Sequence, residues 1–181
     1  MSTGNRQRRD RILVVLLRHA KSSREDPSWD DRERPLAPRG VAQATALGRM
    51  LGRSGTVPDR ALVSPAVRAV ETWRRVAPAA NWNSVPVFLE ERAYPGAPDA
   101  VRACLASLPE TVRTVVVVGH NPGLELLAEA WSGRPVRIPT SMALAFAVED
   151  VGGPRRERAE LLDTWDPREA GAPAAEGPMV P

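Results

Sequence analysis

Residues 12–17 read ILVVLL, six apolar positions without a polar interruption. A half-exposed strand would alternate apolar and polar residues, so an unbroken run of this length predicts a strand covered on both faces, as in a parallel sheet. Residues 115–118 (VVVV) repeat the pattern, and 61–63 and 85–89 are further apolar stretches of strand length. Helical patterns lie between them, at 41–51 after Pro38 and Gly40, at 65–76, at 98–108, and at 124–131 after Pro122-Gly123. Proline in or just before a first turn fits a helix start, because the N–H it lacks has no intrahelical partner there. Strands alternating with helices predict an α/β fold, a three-layer α/β/α arrangement around a mostly parallel central sheet. Residues 142–148 and 159–165 add two later strand candidates, and no internal repeat is present.

Length bounds this picture to one domain, since 181 residues with 43% apolar content bury one sizeable core. We assign it to residues 11–166. A basic arm at 1–10 precedes it, and a Pro/Ala/Gly/Glu-rich tail at 167–181 follows; both are expected to be disordered. No apolar run approaches the roughly 20 residues that span a bilayer, and the N-terminal arm is polar rather than signal-like. A soluble, cytoplasmic monomer without a membrane partner is expected. The lone Cys104 has no internal disulfide partner, and two histidines make no Cys/His cluster at metal-ligand spacing, so a zinc site is not expected; no other cofactor is expected.

Charge changes little once it is located. The sequence pI is near 9.9, but residues 1–11 hold Arg6, Arg8, Arg9 and Arg11 against Asp10. The remaining chain then balances at 25 − 4 = 21 basic and 22 − 1 = 21 acidic residues. The excess is therefore a property of a solvated arm, and no nucleic-acid partner is expected.

The chemistry gathers where strands end. VVLL runs into Arg18-His19-Ala20, and VVVV runs into Gly119-His120-Asn121-Pro122-Gly123, so both histidines of the chain follow a buried strand. Ligands of open parallel sheets bind outside the carboxyl ends of the strands, which would bring the two histidines to one rim. Either histidine alone would read equally well as a structural one; the repeated placement favours a site. At a third strand end, Ser64-Pro65 opens a helix with Arg68 in its first turn. Arg18 and Arg68 could hold a phosphoryl group with paired N–H donors, aided by the helix N-terminus. A charged residue directly after six buried apolar ones needs a partner, and an anion would serve.

These residues resemble the histidine phosphatase superfamily, and most closely the SixA-type phosphohistidine phosphatases. The resemblance spans residues 12–165 and rests on LLRHAKSS at 16–23, RPLAPRG at 34–40, SPAVRAVET at 64–72, EERAYPG at 90–96 and VGHNPGLE at 118–125, in the family order. It implies a phosphoglycerate-mutase-like fold, catalysis without a metal, and His19 as the residue that attacks phosphorus and is transiently phosphorylated. Imidazole suits that role because its ordinary pKa of about 6.5 leaves a neutral nitrogen available near pH 7. Arg18, Arg68 and His120 would surround the phosphoryl oxygens and stabilise the charge spread over them in the transition state. His120 is expected to be protonated when phosphate is bound.

The segment Glu91-Arg92-Ala93-Tyr94 resembles the family's acid-bearing ERxY, which implies Glu91 as general acid for an alcohol leaving group, with Glu90 the adjacent alternative; a solvated acidic pair is the other reading. Lys21, Ser22 and Asn121 flank the histidines as candidate substrate contacts, and could equally cap turns. Asp30 and Asp31, lacking a third ligand, read as a solvated acidic loop. Only about twenty residues separate Tyr94 from the next strand, too few for a large helical lid. An open site favours phosphohistidine on a protein as substrate, with small phosphoesters as the alternative. A phosphoglycerate-mutase-like transferase would need a more enclosed pocket, and a non-catalytic phospho-ligand module would not need both histidines.

Overall fold

In the computed structural model the described residues are 11–149 and 158–169; the basic arm at 1–10 and most of the C-terminal tail, from 170 onward, lie outside them. β1 (Arg11–Arg18) is the spine. It pairs in parallel with β4 (Thr114–Gly119), with Leu13 opposite Thr114 and Arg18 opposite Gly119. β2 (Arg60–Val63) lies parallel on the far side of β4, and β3 (Val87–Leu89) parallel beside β2. β5 (Ala143–Glu149) and β6 (Arg158–Trp165) close the other edge antiparallel, giving the order β3-β2-β4-β1-β5-β6.

The unbroken apolar runs are explained by two covered faces. Val15, Leu17, Val116 and Val118 point into a layer with α1 (Pro38–Arg53) and α2 (Val67–Ala79), where Leu47, Leu51, Trp73 and Val76 are buried. Val14, Leu16, Val115 and Val117 point the other way, against α3 (Pro98–Ala106) and α4 (Gly123–Ser132), meeting Leu105, Leu124, Leu127 and Trp131. Each fully buried Val or Leu adds roughly 1.5–3 kcal/mol of hydrophobic stabilisation, so the central strands carry much of the core. The three-layer expectation therefore holds, with a mixed edge of two antiparallel strands.

Boundaries differ where local chemistry intervenes. The strand expected from Val85 begins only at Val87, because Pro86 has no N–H for the ladder and contributes its carbonyl alone, accepting from Ala61. The helix expected from Pro65 starts at Val67: Ser64 and Ala66 are held in a turn in which the Ala66 N–H donates to Ser64 Oγ at 3.3 Å. At the other end Pro167–Glu169 form a turn, with the Arg168 N–H and guanidinium donating to the buried Asp166 carboxylate. Among the described residues no helix is long and apolar enough to cross a membrane.

Candidate functional site

Three parallel strands end at the same level and deliver the site. The His19 N–H continues the ladder to the Gly119 carbonyl at 3.1 Å, and the Ser64 N–H to the Val118 carbonyl at 2.9 Å. His19 and His120 thus stand one residue beyond neighbouring strands, their ring centroids 4.8 Å apart. Arg68, in the first turn of α2 and only 5% exposed, lies against both. Its Nε donates to His19 Nε2, and its Nη2 reaches His120 Nδ1, each at 3.4 Å.

Hydrogen-bond chemistry fixes how the two rings are used. His19 Nδ1 is 2.7 Å from the Ala20 carbonyl oxygen. A carbonyl only accepts, so Nδ1 carries the proton and Nε2 keeps its lone pair toward Arg68. In His120 the order is reversed: Nδ1 faces the guanidinium, a donor, so Nε2 carries the proton and donates to Ser64 Oγ at 2.7 Å. Burial lowers the His19 pKa to about 4, with Arg68, Arg18 and Arg34 adding to the effect and the Ala20 carbonyl opposing it. Burial lowers His120 to about 3, helped by His19, Arg68 and Arg18 and opposed by Asp31. Both rings are therefore neutral near pH 7 in this arrangement.

Backbone ties hold the loops that carry these groups. The Ala20 N–H donates to Thr72 Oγ1 at 2.9 Å, and the Thr72 hydroxyl donates to the Arg68 carbonyl at 2.6 Å, joining the end of β1 to α2. Gly40 lets α1 approach the same loop: a Cβ there would stand 2.1 Å from the Lys21 carbonyl oxygen. Ser141 adopts φ 63° and its N–H donates to the Arg18 and His19 carbonyls, both at 3.2 Å.

Arg18 is half-buried behind the pair. Its Nη1 donates to the Ile138 carbonyl at 2.8 Å, which also accepts from Asn121 Nδ2 at 3.0 Å. The Ile138 N–H in turn donates to Glu125 Oε1 at 2.9 Å. Burial lowers the Arg18 pKa, with the Glu125 charge opposing. Asn121 is thus a brace for Arg18's loop. Lys21 is exposed, and its carbonyl accepts from Ala37; Ser22 forms an isolated bridge with Leu36.

Glu90 and Glu91, the two candidate acids, are each paired with an arginine outside the histidine cluster. Glu91, in a short 3-10 helix after β3, is exposed and accepts both its bonds from Arg32 Nη2, at 2.7 and 2.9 Å. Among the described residues no hydrogen bond joins it to His19, Arg18, Arg68 or His120. Glu90 accepts from Arg92 through both oxygens, at 2.9 and 2.8 Å, and Arg92 holds its carboxyl down at about 2. The acid that reaches the cluster is Asp31: its Oδ2 accepts from Arg68 Nη2 at 2.7 Å and from the Tyr94 hydroxyl at 3.0 Å. Tyr94 also packs edge-on to His120, centroids 5.3 Å apart.

The sequence thus brought Arg18, His19, Arg68 and His120 to one place, and missed Ser64, Thr72, Tyr94 and Asp31 as members of it. Ser64 lies one residue past the end of β2 inside the SPAVRAVET motif, which was its available signal; Tyr94 lies inside EERAYPG, past a short 3-10 helix, and Asp31 had no such signal. Among the described residues, no group of three or more His, Cys, Asp or Glu side chains is placed to hold a metal ion.

Residues 14–93 match the family model described as the histidine phosphatase superfamily, branch 1. The phosphohistidine phosphatase SixA of Escherichia coli is 30% identical over 144 residues, 78% of this chain and 88% of that protein. An uncharacterised protein of Mycobacterium leprae is 35% identical over 169 residues, 84% of this chain and 100% of its own length. Among solved structures, the protein histidine phosphatase SixA complexed with tungstate gives a TM-score of 0.75 at 22% identity, covering 88% of this chain and 99% of that one. The alpha-ribazole phosphatase from Shigella flexneri gives 0.64 at 18% identity, covering 83% and 95%. At these identities the two structural likenesses speak for a shared fold.

Proposed function

The chain belongs to the histidine phosphatase superfamily, where it is a SixA-like phosphatase, and from that premise we propose that it removes phosphate from phosphohistidine on a protein, without a metal, through His19. The observation that carries the proposal is the histidine pair with opposite tautomers around Arg68. His19 Nε2 offers a lone pair; His120 Nδ1 offers a second site-facing nitrogen that can bind a proton.

In the proposed reaction the His19 Nε2 lone pair forms a bond to phosphorus as the bond from phosphorus to the substrate imidazole breaks. The leaving imidazole keeps that electron pair and takes a proton. Water then attacks the phosphorus on His19, the P–N bond breaks, its electron pair returns to Nε2, and inorganic phosphate departs. The low pKa of His19, about 4, keeps Nε2 unprotonated across the neutral range. Arg68 and Arg18 supply fixed positive charge for the equatorial oxygens. A phosphoryl dianion beside His120 raises its pKa and favours the protonated ring, whose Nδ1–H then donates to the anion while Nε2–H stays on Ser64. Tungstate, the oxyanion bound by the solved SixA, is a phosphate-like probe suited to the same donors.

Leaving-group chemistry supports phosphohistidine over alkyl esters. An alkoxide needs a positioned acid, whereas an imidazole accepts a proton from solvent at neutral pH. Glu91, the acid implied by resemblance, is exposed and engaged with Arg32, and Glu90 is held ionised by Arg92. Phosphate release from a histidine-phosphorylated protein and from p-nitrophenyl phosphate, both in EDTA, is the direct test. Preference for the phosphoprotein, with Glu91→Gln leaving its hydrolysis unchanged, supports the reading. Cleavage of small esters alone would remove the protein substrate; loss of all activity in EDTA would remove metal independence.

A further inference from the structure

Arg68 has an anion on it already. Asp31 Oδ2 takes the Nη2 donor at 2.7 Å, the Asp31 backbone carbonyl takes Nη1, and the remaining Nε points at His19. The guanidinium edge that would grip two phosphoryl oxygens is therefore engaged by one residue through two oxygens. Tyr94 donates to the same Oδ2, and Arg34 Nη2 donates to Oδ1 at 2.5 Å. Partial burial pushes the Asp31 pKa up, but the bond and charge of Arg68, with Tyr94 and Arg34, outweigh it and hold the group near 2, so it is an anion throughout the neutral range.

The loop that carries Asp31 is closed at its neck by backbone bonds. Ser22 bridges Leu36, the Ser23 N–H donates to the Pro35 carbonyl at 2.8 Å, and the Ala37 N–H donates to the Lys21 carbonyl at 2.9 Å. Between these ties, residues 24–34 bring Asp31 to Arg68, and Asp31 itself is exposed while its partner is buried. The contact thus has one buried half and one exposed half.

We propose that Asp31 is a substrate-displaced anion: its carboxylate occupies on Arg68 the place of a phosphoryl oxygen, and competition with it sets the affinity of the site for phosphoryl groups and for released phosphate. This rests on Arg68 being an oxyanion-binding residue of the phosphatase site. A ligand that binds only the open fraction of a self-occupied site has its affinity reduced by that fraction, so removing the internal competitor tightens binding.

Calorimetric titration of the full chain with inorganic phosphate and with tungstate tests this without turnover. Asp31→Asn keeps the shape and removes the charge; Asp31→Ala also removes the side chain, which covers the case in which the amide stays on Arg68. Binding roughly three- to tenfold tighter than wild type is expected in one or both, with thermal unfolding checked for each. Unchanged or weaker oxyanion binding in both, with wild-type binding lost in Arg68→Ala, overturns the competition and leaves the oxyanion site standing. Absence of binding in wild type and in both Asp31 variants, or binding indifferent to Arg68→Ala, overturns the site reading and this proposal together.

Discussion

The ends of β1 and β4 lie side by side, at the same level of the same sheet, and each delivers a histidine, yet the two rings present opposite nitrogens. At the end of β1 the Ala20 carbonyl takes the Nδ1 proton of His19 and leaves Nε2 bare. At the end of β4 the neighbouring strand's Ser64 takes the Nε2 proton of His120 and turns Nδ1 to the site. Position in the sheet made the residues equal, and one hydrogen bond apiece made them unequal. A nucleophile and an anion-binding partner can thus be built from the same side chain on equivalent strand ends.

Replacing His19 should break this asymmetry most severely. His19→Ala is expected to lose about 10^4-fold or more in kcat, the scale seen when a catalytic nucleophile is removed, and rapid-quench labelling should find no phosphate on His120 in its place. Label on His120 would mean that the tautomers do not divide the roles. His120→Ala comes next: a loss of roughly 10^2- to 10^3-fold is expected, as for one transition-state donor, with phosphate still trapped on His19.

Ser64→Ala sharpens the comparison without removing either ring. The His120 Nε2–H loses its buried acceptor, and kcat should fall roughly three- to tenfold for one such bond, with Ser64→Thr recovering most of it and His19 labelling intact. A fall confined to thermal stability, with kcat unchanged, would make Ser64 merely structural.

The smallest effect is on stability against pH. Both histidines have folded pKa values, about 4 and about 3, below the ordinary 6.5. As pH falls below 6.5 the unfolded chain binds protons that the folded chain does not, so stability declines between pH 6.5 and about 3. Wild-type Tm should drop by several degrees over that window, and the drop should shrink in a His19→Ala/His120→Ala double variant. An identical slope in both proteins would place the proton uptake elsewhere. Activity should follow the same sign, with the acid limb of kcat/KM set by His19 lying near pH 4 rather than near 6.5, read with a substrate whose own ionisation is known.

Much of this site was legible because strand ends are legible. The apolar runs before Arg18 and Gly119 marked two adjacent buried strands, and a residue just past such a run has few places to go but the carboxyl rim of the sheet. Arg68 was found through the strand-to-helix signal of Ser64-Pro65, although the helix itself starts at Val67. Glu91 was drawn from a motif, and motifs do not report ion pairs: Arg32, fifty-nine positions away, engages its carboxylate at the rim. Asp31 is exposed, as a solvated loop residue would be, but its tie to Arg68 is not legible, because that partner is thirty-seven positions distant and nothing in its neighbours shows a buried guanidinium beneath it.

The sequence by itself determined the layers, the parallel centre and the convergence of Arg18, His19, Arg68 and His120, since these depend on local periodicity and on where apolar runs stop. Only the tertiary structure decided which ring nitrogen bears each proton, which carboxylate rests on Arg68, and that Asn121 and Glu125 brace Arg18 through the Ile138 peptide. Those outcomes turn on hydrogen bonds a few ångströms long between residues far apart in the chain, and such distances are fixed by packing rather than by the order of residues.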